Sequence, residues 1–89
     1  MAKVVISQGF IDDLIVVTSN RVLTNIIHTV ELLETIPNMG SCDLPRSIRE
    51  EFGNHAHKIP VNPFDIITLY DETADEVIVV SLIRQRAVW

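Results

Sequence analysis

The chain predicts an α+β fold. Three observations carry that prediction. Two apolar, β-branched runs, Phe64–Tyr70 and Val77–Ile83, flank the acidic turn Asp71-Glu72-Thr73-Ala74-Asp75-Glu76 and read as a β-hairpin. Apolar residues recur at helical spacing over much of the first 36 positions. Strand signals run consecutively after the helical ones, so the two element types are segregated rather than alternating. The expected order is an N-terminal strand, an antiparallel helix hairpin, a short helix, and then three antiparallel strands. The simplest packing lays the helices on one face of an antiparallel sheet.

Lys3-Val4-Val5-Ile6 is the first strand. Ser7 follows as a helix cap, its hydroxyl oxygen available to a free N–H of the first turn. From Gln8 to about Val17, Phe10, Ile11, Leu14, Ile15 and Val17 keep helical spacing, and Asp12 and Asp13 are expected to face solvent. Thr18-Ser19-Asn20 breaks the chain and caps a second helix that runs to about Ile36. Its apolar face is Val22, Leu23, Ile26, Ile27, Val30, Leu33 and Ile36, and Pro37 ends it. So short a connection predicts that the two helices form a hairpin.

Asn38 to Asp43 is a loop. Pro45 stands near the start of a short helix, Ser47 and Glu50 have capping-box spacing, and Gly53 is a C-terminal stop. His55 to Val61 is a strand, and Pro60 argues for an edge position or a bulge. Asn62-Pro63 turns the chain into the final hairpin. Val77–Ile83 is apolar on both faces, which predicts a central strand.

Eighty-nine residues make one domain over 1–89, and a hydrophobic fraction of 47% is enough for a core without disulfides. The single cysteine, Cys42, allows no internal disulfide and fits a reducing cytoplasm. The N-terminus lacks the apolar stretch of a signal peptide, and no run approaches the roughly 20 residues that span a bilayer. The expectation is a soluble cytoplasmic protein with no membrane partner. A net charge of −5 argues against broad nucleic-acid binding but leaves room for a local basic patch.

That patch would draw on the last strand, which runs into Arg84-Gln85-Arg86-Ala87-Val88-Trp89. Two arginines at i, i+2 on a continuing strand share a face and suit a phosphate clamp, and tryptophan suits stacking on a base. The plainer role is a soluble, carboxylate-paired strand end, with Trp89 packed back on the sheet. Lys58 by itself reads as a solvated strand lysine. His55 and His57 have the spacing of a metal or proton-transfer pair, but no third ligand stands at a recognisable distance, so neither metal nor cofactor is expected. The acidic turn lacks the glycine and oxygen spacing of a calcium loop. Cys42 has no nearby cation and no evident histidine in sequence, so it does not read as a nucleophile.

The order and spacing of these pieces resemble the RelE/ParE family of bacterial toxins from type II toxin–antitoxin systems. The matching segments are the strand closed by Ser7, the helix hairpin, and Ser47-Ile48-Arg49-Glu50-Glu51-Phe52-Gly53. Lys58-Ile59-Pro60-Val61, Pro63 to Asp71 and Glu76 to Arg86 continue the match. The resemblance implies growth inhibition, either by ribosome-dependent mRNA cleavage or by poisoning DNA gyrase, with neutralisation by a cognate antitoxin. In the nuclease branch it implies that Lys58, Arg84 and Arg86 stabilise charge on the scissile phosphate. Trp89 stands where a tyrosine is common and, with Tyr70, would contact substrate. Asp65 stands where the family often has an arginine, which the gyrase branch does not need. A third alternative is a catalytically silent module that keeps only partner binding.

Overall fold

The computed structural model describes residues 1–44, 46–53 and 55–85. Its elements are β1 (Lys3–Ile6), α1 (Gln8–Asp13), a 3₁₀ turn (Leu14–Val16), α2 (Asn20–Leu32), α3 (Arg46–Phe52), β2 (Ala56–Val61), β3 (Phe64–Asp71) and β4 (Glu76–Arg84). They build one mixed sheet in the order β1-β4-β3-β2. The strand 77–83 is central, as its two-sided apolar character requires. β1 and β2 are the outer strands in this order.

Two expectations about the layers are corrected. The sheet is not wholly antiparallel, because β1 lies parallel to β4, with Val4 opposite Val77 and Ile6 opposite Val79. A parallel neighbour needs a long crossover, and everything between β1 and β4 supplies it. Nor do all helices pack on one face. Ile66 and Ile67 are adjacent on β3 and both are fully buried. Successive strand residues face opposite ways, so both faces are covered.

The larger core joins Phe10, Ile26 and Leu33 to Ile59, Phe64, Ile66, Val77, Val79 and Leu82 under α1 and α2. The smaller one joins Leu44 and Ile48 to Ala56 and Ile67, with Phe52, Leu69, Val80 and Ile83 around it, under α3.

The helices also depart from a simple hairpin. Ser7 caps α1 by accepting from the Phe10 N–H at 3.1 Å. The helix then tightens to a 3₁₀ turn at Leu14, and Val17 is extended. The run Ile15-Val16-Val17 explains this, since branched side chains crowd the preceding helical turn. α2 starts at its expected cap, Ser19, which accepts from the Val22 N–H. It ends at Leu32 rather than Ile36. The Leu33, Glu34 and Thr35 N–H groups bond three residues back, a tightened exit ahead of Pro37. α1 packs on β4 and α2 on β2, rather than forming one paired unit.

α3 begins at Arg46, so Ser47 lies inside the helix and not at its cap. Glu50 pairs instead with Arg46, Nε to Oε1 at 3.0 Å. The cap expectation that involves Pro45 lies outside the described residues. Gly53 does stop the helix, with φ +92° and its N–H donating to the Arg49 carbonyl.

β4 carries a bulge. Ile67 pairs with Ser81 and Thr68 with Val79, so Val80 is an extra residue. β1 has ended by this point, and α1 occupies the freed edge. The Ser7 hydroxyl donates to the Val80 carbonyl, while the Asp13 carboxylate accepts from the Ser81 hydroxyl and the Leu82 N–H, each at 3.0 Å. Asp13 is therefore a structural tie between helix and sheet, not the solvated residue its sequence context suggests.

Candidate functional site

The cations and aromatics singled out from the sequence do not assemble into one cluster among the described residues. Lys58 pairs with Ile67 on the face covered by α3. Arg84 pairs with Phe64, and its guanidinium carbon lies 5.0 Å from the Phe64 ring centroid on the α2 side of the sheet. The two cations thus belong to opposite faces. Arg86 and Trp89 lie outside the described residues.

Tyr70 is engaged at the hairpin tip, where its hydroxyl donates to Asp75 Oδ1 at 3.0 Å. That hydrogen bond pushes the phenol above its ordinary value, helped by some desolvation and by the charges of Asp75, Glu72 and Asp71. The tip itself is ordered by Asp71, whose Oδ1 accepts from the Thr73 and Ala74 N–H groups. Asp65, expected to matter only as a departure from an arginine, is buried at 2% exposure and accepts from Gln85 Nε2 at 3.1 Å. The same amide donates to Asn62 Oδ1 at 2.9 Å. Gln85 therefore ties the end of β4 to the β2–β3 turn, where the Asn62–Pro63 bond is cis.

A second arrangement forms at the outer edge of β2. Ser41 bridges to Lys58, each N–H donating to the other's carbonyl at 2.9 and 2.8 Å. Gly40 makes this approach feasible. Its φ is +98°, and a Cβ there would collide with the Lys58 carbonyl and sit 2.8 Å from Ile59 Cγ1. Once 41 and 58 form a hydrogen-bonded pair, 42 and 57 become the neighbouring non-hydrogen-bonded pair, whose side chains approach most closely. Cys42 Sγ accordingly lies 3.2 Å from His57 Nε2. His57 Nδ1 lies 3.2 Å from the His55 carbonyl oxygen.

The histidine pair noticed in sequence is thus not a pair of rings. His55 offers its backbone oxygen, and the second side chain is Cys42, fifteen positions upstream. The expectation that Cys42 has no histidine partner is corrected. The contact depends on a single bridge from a loop, and hydrophobic periodicity carries no trace of that. Gly40 next to Ser41-Cys42 is the one local signal, since an obligatory glycine marks close backbone approach.

Cys42, His55 and His57 open onto a cavity of about 820 Å³ between this edge and the hairpin tip. Its walls include Phe52, Leu69 and Ile78, and its rim includes Asp71, Glu72 and Glu76. Among the described residues no three His, Cys, Asp or Glu side chains converge as a metal site. No helix among them is long and apolar enough to cross a membrane. Compared with known proteins, the chain matches no family model, no curated protein and no solved structure.

Proposed function

We propose that this chain is a toxin-like module of the RelE/ParE type that works by gripping protein partners rather than by cleaving ribosome-bound mRNA. The partners are a cognate antitoxin and, as the inhibited target, DNA gyrase. The observation that carries the binding half is the apolar outer side of the helical layer. Ile15 is 85% exposed, and Ile11, Val16, Ile27 and Leu32 are each about half exposed. Exposed apolar side chains concentrated on one layer suit an amphipathic or extended partner segment laid across it. The element order of the chain, strand, helices, short helix and three strands, supports the family reading.

Two observations weigh against the nuclease branch. Lys58 and Arg84 belong to opposite faces, and a clamp on one phosphate needs convergent cations. The net charge of −5 also opposes docking on ribosomal RNA.

The test is expression alone and with the product of an adjacent short reading frame, followed by supercoiling and ribosome-bound mRNA assays on purified protein. Growth arrest with lost supercoiling and intact mRNA is the expected result, relieved by the antitoxin. An Ile15→Asp, Ile27→Asp double variant should lose the antitoxin while keeping its fold. Cleaved mRNA would overturn the proposal. Antitoxin binding without effect on growth or supercoiling would instead identify a silent module of the same kind.

A further inference from the structure

The Cys42–His57 edge stands apart from the exposed apolar residues Ile11, Ile15, Val16, Ile27 and Leu32 on which the toxin-like reading rests, and its chemistry is independent of that reading. We propose that Cys42 is a histidine-activated thiol that exchanges with small disulfides, taking cationic ones in preference to anionic ones.

The hydrogen-bond order fixes the chemistry. A backbone carbonyl only accepts, so the His57 Nδ1 facing the His55 oxygen carries the ring proton. His57 Nε2 then holds a lone pair toward the Cys42 sulfur at 3.2 Å. Nucleophile, base and an oriented base stand in sequence, the arrangement that activates a thiol. Cys42 is exposed, so the sulfur is reachable.

In the step itself the thiol proton passes to His57 Nε2. The thiolate attacks one sulfur of R–S–S–R, and a Cys42–S–S–R bond forms as the original S–S bond breaks. The departing R–S⁻ takes the proton back from His57, leaving it neutral. The disulfide is the only oxidant consumed, and its second sulfur leaves as a thiol.

The substrate class comes from the cavity beside the pair. Phe52, Leu69 and Ile78 give it an apolar wall that suits a short aliphatic chain. Asp71, Glu72 and Glu76 on the rim attract an ammonium group and repel a carboxylate. His55 and Tyr70 are the other titratable groups lining it.

The experiment uses the full chain at pH 7, low salt, with two aliphatic disulfides of opposite charge, cystamine and dithiodipropionate. Adduct formation on Cys42 is followed by mass spectrometry. Folded protein should react with cystamine about tenfold or more faster than the same protein in urea, and His57→Gln should lose that advantage. Cystamine should exceed dithiodipropionate by a ratio that shrinks in Glu72→Gln, Glu76→Gln and with added salt. Equal rates in folded and unfolded protein would overturn the activation, and that comparison needs no variant to fold. Equal rates for the two disulfides would overturn the charge preference.

Discussion

At Tyr70 a single contact sets the ionisation of the chain's one tyrosine. Its hydroxyl donates to Asp75, and the hairpin's carboxylates oppose a phenolate. Absorbance titration should place ionisation above the ordinary value near 10, and Asp75→Asn should bring it back toward that value. A phenol whose folded value is raised stabilises the fold fully below the unfolded value, and that contribution is lost as pH rises through the folded one. The acid limb of stability is therefore insensitive to Tyr70. Asp13 offers a sharper handle. Asp13→Ala leaves the Leu82 N–H without its acceptor at a partly buried edge, and urea unfolding should show a loss of about 1–3 kcal/mol. Asp13→Asn keeps one oxygen and should recover part of it. Thr68 is the opposite case. It is fully buried, and its hydroxyl has no hydrogen-bond partner among the described residues. Thr68→Val removes that unsatisfied group at nearly constant shape, and stability should stay level or rise by about 1 kcal/mol in the same assay.

Among the elements, the edge bridge at Ser41 is the most exposed to a single substitution. Gly40→Ala places a methyl group against the Lys58 carbonyl at a backbone angle that disfavours side chains. The strand must give way, so the expected loss is about 1–3 kcal/mol with the Cys42–His57 contact opened. Urea denaturation measures the first, and thiol labelling of Cys42 the second. Gly53→Ala separates backbone strain from collision, because its φ is also positive but open space surrounds it. Element type was largely legible in the sequence, for physical reasons. The helical spacing of Val22, Ile26, Val30 and Leu33, the caps at Ser7 and Ser19 and the stop at Gly53 are local signals, and each appears where its chemistry requires. Element ends were less legible. The branched run after Leu14 and the approach to Pro37 tighten the helices earlier than apolar periodicity alone implies. Asp13 was illegible for a different reason. Its partners, Ser81 and Leu82, lie 68 and 69 positions away, and nothing local distinguishes it from Asp12.

For the whole molecule, the decisive fact is that one sheet separates two cores. Ile66 and Ile67 are neighbours in sequence and serve opposite ones. Ile66→Ala and Ile67→Ala should each cost about 2–5 kcal/mol, and both variants should still unfold in a single transition with an unchanged denaturant slope. A smaller loss at Ile67 would mean that the layer under α3 collapses onto the gap more readily than the layer under α2. The two-sided burial was visible in β4, whose apolar run predicted a central strand. That α3 supplies the second cover was not visible, because seven residues with a weak apolar stripe specify a helix without specifying a side. The same limit hid the relation of Lys58 to Arg84. Their faces depend on which residues pair, and on the irregularity at Val80. That residue has a further consequence for how the chain tolerates changes in length. A strand that alternates inward and outward is a two-step counter, and one added or lost residue ordinarily reverses everything downstream. Val80 is the spare count in β4. Excising it would leave each partnership from Val79–Thr68 to Arg84–Phe64 as it stands, whereas excising Ile83, beyond the bulge, would send Arg84 across to the wrong layer. What the shortened strand would forfeit is the carbonyl that receives the Ser7 hydroxyl, and with it one of the fastenings that hold the first helix against the sheet.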